Sequence, residues 1–259
     1  MAAPDNYRAL ASQWEFYSRY TKSGLHIKAV GSEAFVEQGE MIHDQLRAFV
    51  LSSHYPCVGA RSAFNQDGYR FGFFPNMTTP EATAGLHASL LRFVAEQPSI
   101  DAKFSTFVAV FNGPLPRHEA DFEDALWQQL ADLHELDRTM YDWDPKVSSD
   151  PDHVNFSFSV GGRAYFVVGM NPASSRKARC FGWPALVFNA HFMFEELRNN
   201  GQYDRFKVVI RERDKKLQHG DINPNLTDFG VASEARQYSG KKVEAAWKCP
   251  FLAKLAAKR

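Results

Sequence analysis

The sequence predicts an α+β fold: a mixed, mainly antiparallel sheet with packed helices, in a single domain. Three observations predict it. Strand-like runs outnumber what a regular alternation of strand and helix would supply. At least two neighbouring pairs of runs read as hairpins. No stretch has the composition of a linker, so one body is expected over residues 31–259, behind a peripheral N-terminal segment, 1–30.

Taken in order, residues 1–30 have mixed composition and are expected to give a peripheral helix with a loop. From Ser32 to about Ser52, Phe35, Met41, Ile42, Leu46, Phe49 and Val50 recur at helical spacing, with Gly39 weakening the helix. "YPCVGARSAF" (55–64) and "GYRFGFF" (68–74) read as a strand pair turned at Asp67-Gly68. The next helix is well punctuated: Thr79 as cap, Pro80 in the first turn, Glu81 for the dipole, Pro98 as stop. "KFSTFVAVF" (103–111) is a strand. "EADFEDALWQQLADLHELD" (119–137) is a long amphipathic helix with Phe122, Leu126, Leu130 and Leu133 on one side.

A loop rich in Asp, Pro and Ser follows over 141–155. "FSFSVGGRAYFVVGM" (156–170) is a hairpin around Gly161-Gly162. After the cationic loop "ASSRKAR" (173–179), a strand over Pro184–Asn189 runs into a helical pattern headed by His191. "RFKVVIRERD" (205–214) reads as a further strand, and 220–251 as a long polar segment of little periodicity.

Composition sets bounds on function. The chain has 259 residues, is 44% hydrophobic and 23% charged, and carries 22 phenylalanines, which implies a large apolar core or a ring-lined cavity. Thirty Lys+Arg balance thirty Asp+Glu, which argues against a nucleic-acid binder working by bulk phosphate attraction. The start lacks the pattern of a secretory signal, and "TFVAVF" and "AYFVVGM" are far too short to cross a bilayer. Three cysteines without CxxC spacing point to a reduced, cytoplasmic setting and away from a structural zinc site. There is no GxGxxG, Walker loop, HExxH or GxSxG, so nucleotide cofactors and serine hydrolysis have no positive support.

Several residues could carry chemistry. His191, where strand meets helix, can be a packing residue, a general base or a metal ligand. His134 stands one helical turn before Asp137, which fits a ligand oriented by a carboxylate or a plain surface pair. Cys57 and Cys249, the latter before Pro250, are soft ligands or small buried hydrophobes. Arg176, Lys177 and Arg179 could clamp a carboxylate or phosphate. "SEARQYSG" packs Glu234, Arg236, Gln237, Tyr238 and Ser239 into one short polar stretch, as pocket loops do.

The order of "YPCVGARSAF", "FEDALWQQLADLHELD", "FSFSVGGRAYFVVGMNPASSRKAR", "PALVFNAHFMFEELR", "VVIRERD", "INPNL" and "SEARQYSGKKVEAAWKCPF" resembles the YqcI/YcgG family over about residues 50–251. The resemblance implies a haem-dependent monooxygenase that hydroxylates a guanidine nitrogen of L-arginine or an arginine-like amino acid in natural-product pathways. It implies haem b, dioxygen and a separate reductase or other external electron donor. The iron ligand would come from His191, His134, His54, Cys57 or Cys249. His191 ranks first, and His134 second, unless His134 acts as the catalytic proton donor on the oxygen side. Arg176 and Arg179 would meet the propionates, and Trp183 and Trp247 would wall the porphyrin. Glu234 would hold the guanidinium, with Glu195 and Asp214 as alternatives. A non-catalytic haem sensor or carrier is the alternative reading, favoured by Cys249-Pro250. No membrane or nucleic-acid partner is expected, and a homodimer is compatible with the apolar content.

Overall fold

The computed structural model describes residues 6–29, 31–223 and 225–258. Its centre is one seven-stranded sheet in the order β2-β1-β3-β4-β7-β6-β5. The strands are β1 (Phe16–Thr21), β2 (Gly24–Ala29), β3 (Tyr69–Phe74), β4 (Thr106–Phe111), β5 (Phe158–Val160), β6 (Arg163–Met170) and β7 (Ala185–Ala190). All neighbours pair antiparallel except β3 and β4, which run parallel through the crossover helix α4 (Pro80–Glu96). The fold is therefore α+β with a mixed, mostly antiparallel sheet, as the sequence predicts.

Local chemistry accounts for most elements. Thr79 caps α4 by accepting from the Ala82 amide at 3.2 Å, and Pro80 opens the helix. At the head of α5 (Glu119–Asp137), Asp121 reaches back to the amides of Arg117 and His118, both at 3.0 Å. Gly161 and Gly162 take φ of 61° and 70°, the left-handed pair that a two-residue hairpin between β5 and β6 requires. Gly39 lets α2 (Glu33–Leu51) lie directly on the Phe16 ring: a Cβ there would come within 2.9 Å of it.

Three expectations are corrected. Residues 55–64 do not form a strand: Val58–Asn65 is the helix α3, capped by Cys57. Ala60, Arg61 and Ala63 favour a helix, and Gly59 admits the Phe206 ring. Residues 205–214 are likewise helical, inside α7 (Tyr203–Leu217). The β-branched Val208, Val209 and Ile210 suggest a strand, but Phe206 and Ile210, spaced i,i+4, mark the inward face, while Val208 and Val209 are exposed. The N-terminal segment is more than a peripheral helix. After α1 (Tyr7–Trp14) it supplies a hairpin whose first strand, β1, pairs with β3; residues 1–5 and 30 lie outside the described residues.

The two faces of the sheet differ. On one, α4 and α5 seal a dense core, with Phe93 of α4 tilted against Phe107 and Tyr165 at 5.9 and 6.4 Å. Gly169 lies beneath α5, where a Cβ would come within 2.6 Å of Phe122 and 2.8 Å of Leu126. Gly169→Ala is expected to lower stability by about 1–3 kcal/mol, read by urea unfolding, because the overpacked α5 cannot retreat cheaply. On the other face, Phe166, Val168, Val187 and Asn189 alternate along β6 and β7 and are only half-buried. That face, under α2, α3 and α7, is where a cavity lies. Among the described residues no helix is long and apolar enough to cross a membrane.

Candidate functional site

Strand alternation builds the cavity floor: Thr106 and Val108 of β4, Phe166 and Val168 of β6, Val187 and Asn189 of β7. Phe64 of α3, Phe206 and Ile210 of α7, and Phe194 of α6 (His191–Asn199) complete a mostly apolar wall around about 270 Å³. A second cavity of about 160 Å³ adjoins it, and Phe166, Phe194, Phe206 and Gln237 line both. Side by side they reach the lower part of the roughly 300–1,000 Å³ range of small-molecule sites.

The large cavity holds Cys57, Arg176, Arg179 and Asp214 in its wall. The Cys57 sulfur accepts from the Ala60 amide at 3.4 Å, at the positive end of α3. Burial pushes its thiol up, and the Gly59 and Ala60 amides oppose that shift. Beside it the Tyr55 phenol is held well above its ordinary range by burial. Burial also pulls the Arg179 guanidinium down to about 10, so it remains a cation at neutral pH. Arg179 donates to the carbonyls of Tyr238 at 2.9 Å and Gly169 at 3.4 Å, and no carboxylate among the described residues pairs with it. Arg176 is already engaged, by Asp214 at 2.5 Å and Asp221 at 2.8 Å. Asp214→Ala is expected to cost about 3 kcal/mol in chemical unfolding, since Arg176 is 5% exposed and would lose its more buried partner.

His191 and Glu234 line the smaller cavity. His191 is 5% exposed, its ring 4.4 Å from that of Phe229; its Nδ1 is 3.8 Å from Glu195, and its Nε2 has no partner among the described residues. Burial lowers its pKa, so the imidazole is neutral. Glu234 is buried and accepts at Oε1 from the hydroxyls of Ser157 at 2.8 Å and Tyr238 at 2.6 Å. Burial outweighs both bonds and pushes its pKa up to about 8. Glu195 instead faces a crevice of about 60 Å³ beyond His191, so the three carboxylates considered for a guanidinium do not converge.

Other expected site residues lie elsewhere. His134 is on the α5 side of the sheet, edge-on to Trp143 at 5.4 Å and tilted on Phe251 at 5.8 Å. Its supposed partner Asp137 binds His87 instead, at 2.9 Å. His134 therefore cannot serve as a proton donor in either cavity. Trp247 packs on Trp127, Trp183 on Phe181, and neither lines either of these two cavities. Cys249 is a buried core residue with its thiol held far up by burial, and His54 is exposed. Phe229, Arg198 and Tyr55 belong to the site without having been singled out. Only Tyr55, two residues before Cys57, carried a hint.

A family model described as the YqcI/YcgG family matches residues 46–252. The chain belongs to the YqcI/YcgG family. That span contains every element around the two cavities except the first turns of α2. Uncharacterized protein YqcI of Bacillus subtilis (strain 168) is 28% identical over 207 residues, 76% of this chain and 80% of that protein. Uncharacterized protein YcgG of the same organism is 27% identical over 244 residues, 87% of this chain and 95% of that protein. No solved structure matches the chain significantly. Among the described residues of this YqcI/YcgG chain no group of three or more His, Cys, Asp or Glu could hold a bare metal ion. An iron carried by a macrocycle needs only one or two protein donors, and Cys57 and His191 each qualify chemically.

Proposed function

We propose that this YqcI/YcgG chain is a haem-dependent monooxygenase that hydroxylates a guanidino nitrogen of L-arginine or a related amino acid. The observation that carries the reading is Cys57: a lone thiol at a helix N-terminus in the wall of the apolar cavity of about 270 Å³, which is also lined by Arg179, an arginine with no carboxylate partner among the described residues. The residues fit an iron porphyrin in kind. A soft donor faces an apolar, ring-lined chamber, and Arg179 suits a propionate. The ligand ranking therefore changes, with Cys57 first and His191, in the smaller cavity, second. Arg176 is tied to Asp214 and Asp221 and serves to shape the wall rather than to bind the cofactor.

When bound, the porphyrin iron supplies oxygen activation with electrons from an external donor. The chain's own residues hold and orient the substrate. Glu234, neutral at neutral pH when the cavity is empty of charge, gives up its proton to bind an incoming guanidinium. Ser157 and Tyr238 fix its Oε1 and so limit its rotation. Phe194, Phe206 and Phe229 exclude water, which strengthens that ion pair. Gln237 lines both cavities and would be available to contact a guanidino group passing from one to the other.

Purified protein is expected to show a Soret band at stoichiometric level, as isolated or after hemin is supplied. With dioxygen and a reductant it is expected to form hydroxyarginine from arginine or the hydroxylated analogue of a related guanidino acid. A protein that takes up no hemin ends the reading. Haem uptake without turnover of any guanidino compound would leave a carrier, although the Cys249-Pro250 pair, with Cys249 buried in the core, no longer favours one.

A further inference from the structure

An aromatic file leads from the cavities through the protein to its far surface. Phe166, in the wall of both cavities, meets the Tyr238 ring edge-on at 5.7 Å. Tyr238 is fully buried, and its hydroxyl lies 2.6 Å from Glu234 Oε1 in the smaller cavity. On its other side Tyr238 stacks on Trp127 at 5.6 Å, with ring planes 15° apart. Trp127 is also fully buried and stands 6.4 Å from Trp247, which is half-exposed beneath the Arg236 guanidinium at 5.6 Å. Tyrosine and tryptophan are the most readily oxidised aromatic side chains, and rings in near contact exchange electrons rapidly.

The hydrogen bonding along the file varies as a conductor requires. Tyr238 has acceptors for its phenolic proton in Glu234 and the Tyr165 carbonyl, the latter at 3.2 Å. Trp127 Nε1 is buried without an acceptor among the described residues. A hole on Trp127 therefore cannot be trapped there by loss of a proton and stays free to move. A buried indole N–H usually finds a partner, so an unpaired one at the midpoint of the file is unusual.

The geometry points to a one-electron relay, Tyr238–Trp127–Trp247, that carries oxidising equivalents out of the cavities to the surface when no substrate consumes them. The relay rests on the reading that the cavities hold an iron porphyrin. Hydrogen peroxide leaves that group two electrons short, and each electron is drawn singly. With a porphyrin bound, Tyr238 would give up an electron to it and its phenolic proton to Oε1 of the neutral Glu234 carboxyl, which releases the proton it already carries to cavity water. Tyr238 then recovers a proton from Glu234, Glu234 retakes one from that water, and an electron arrives from Trp127. Trp247 refills Trp127 and sheds its own indole proton to water. A solution thiol or ascorbate-class reductant returns an electron and a proton to Trp247. The net result is reduction of the over-oxidised cofactor by an external reductant, with the protein unchanged.

Two arms test the relay. Haem-loaded full-length protein is treated with peroxide without a guanidino compound, and oxidation at Trp247 is read by peptide mass spectrometry. It is expected to fall several-fold in Trp127→Phe, with faster bleaching of the haem. In Trp247→Phe, altered only near the surface and so not at risk of unfolding the core, the radical seen by freeze-quench EPR is expected to move inward. The second arm needs no haem: azidyl radicals from pulse radiolysis oxidise tryptophan, and its conversion to tyrosyl radical is followed optically. That conversion is expected to drop several-fold in Trp247→Phe, Trp127→Phe and Tyr238→Phe. Unchanged conversion in Trp247→Phe and in whichever buried variant folds overturns the relay and leaves an aromatic core only. Loss of haem binding alone strikes the earlier reading and leaves the second arm to decide this one.

Discussion

Cys57→Ala protein supplied with hemin is expected to lose at least about tenfold in haem affinity, ~1.4 kcal/mol, and to lose the spectral signature of a thiolate ligand. His191→Ala is expected to keep both. The reasoning is geometric. Cys57 lies in the wall of the 270 Å³ cavity, whereas His191 lines the smaller chamber and is packed against Phe229. Burial holds the thiol protonated in the free chain, and an iron centre reverses that by deprotonating a coordinating thiol outright. A Cys57→Ala protein with unaltered haem content and spectrum, alongside a colourless His191→Ala, would return the ligand to the histidine. Cys57→Ser separates loss of sulfur from loss of the helix cap, because a serine hydroxyl can still accept from the Ala60 amide.

Glu234→Gln is expected to reduce turnover of a guanidino substrate by roughly a hundredfold or more, mainly in kcat/KM, because a charge-assisted pair in a dry site becomes a neutral one. The same variant carries a stability signature. In the unfolded chain a glutamate ionises near pH 4.3, in the fold near about 8. Between those values the folded state holds the extra proton, so stability falls as pH rises from about 4.3 to about 8 and is level above that. The amide does not titrate. Glu234→Gln is therefore expected to flatten the unfolding free energy over that window and to be the more stable protein at pH 8 and above, by an amount on the order of a few kcal/mol. Urea unfolding across pH reads it, and equal slopes in both proteins would remove the buried-acid description of Glu234.

The helices with explicit punctuation were legible. Thr79-Pro80 and the closing Pro98 mark α4, and the spacing of Phe122, Leu126, Leu130 and Leu133 marks α5. The Gly-Gly turn marks β5 and β6. What misled was short apolar runs, where period and propensity disagree. Val208-Val209-Ile210 reads as a strand, yet the charges around it place it on a helix whose two valines face outward. The hairpin at Phe16–Ala29 escaped notice because its polar Ser18, Arg19 and Lys28 dilute the alternation. Within the site, residue kinds were legible and their grouping was not. Cys57, Arg179, His191 and Glu234 are scattered over nearly 180 positions, and only the strand order brings α3, α6 and α8 (Ala235–Tyr238) onto one half of the sheet. His134 and Trp247 share the family-like motifs equally, yet the sheet itself stands between them and the cavities.

Helix α7 closes the large cavity through Phe206 and Ile210, yet none of its fifteen residues is fully buried. A segment with so little apolar anchorage detaches for a fraction of the whole protein's unfolding free energy. Its amides are therefore expected to exchange with deuterium far sooner than those of β4, whose residues are all buried. The chamber is thus roofed by the least firmly rooted helix on a rigid floor, and a flat ligand too wide for any static gap would be admitted by that roof swinging aside.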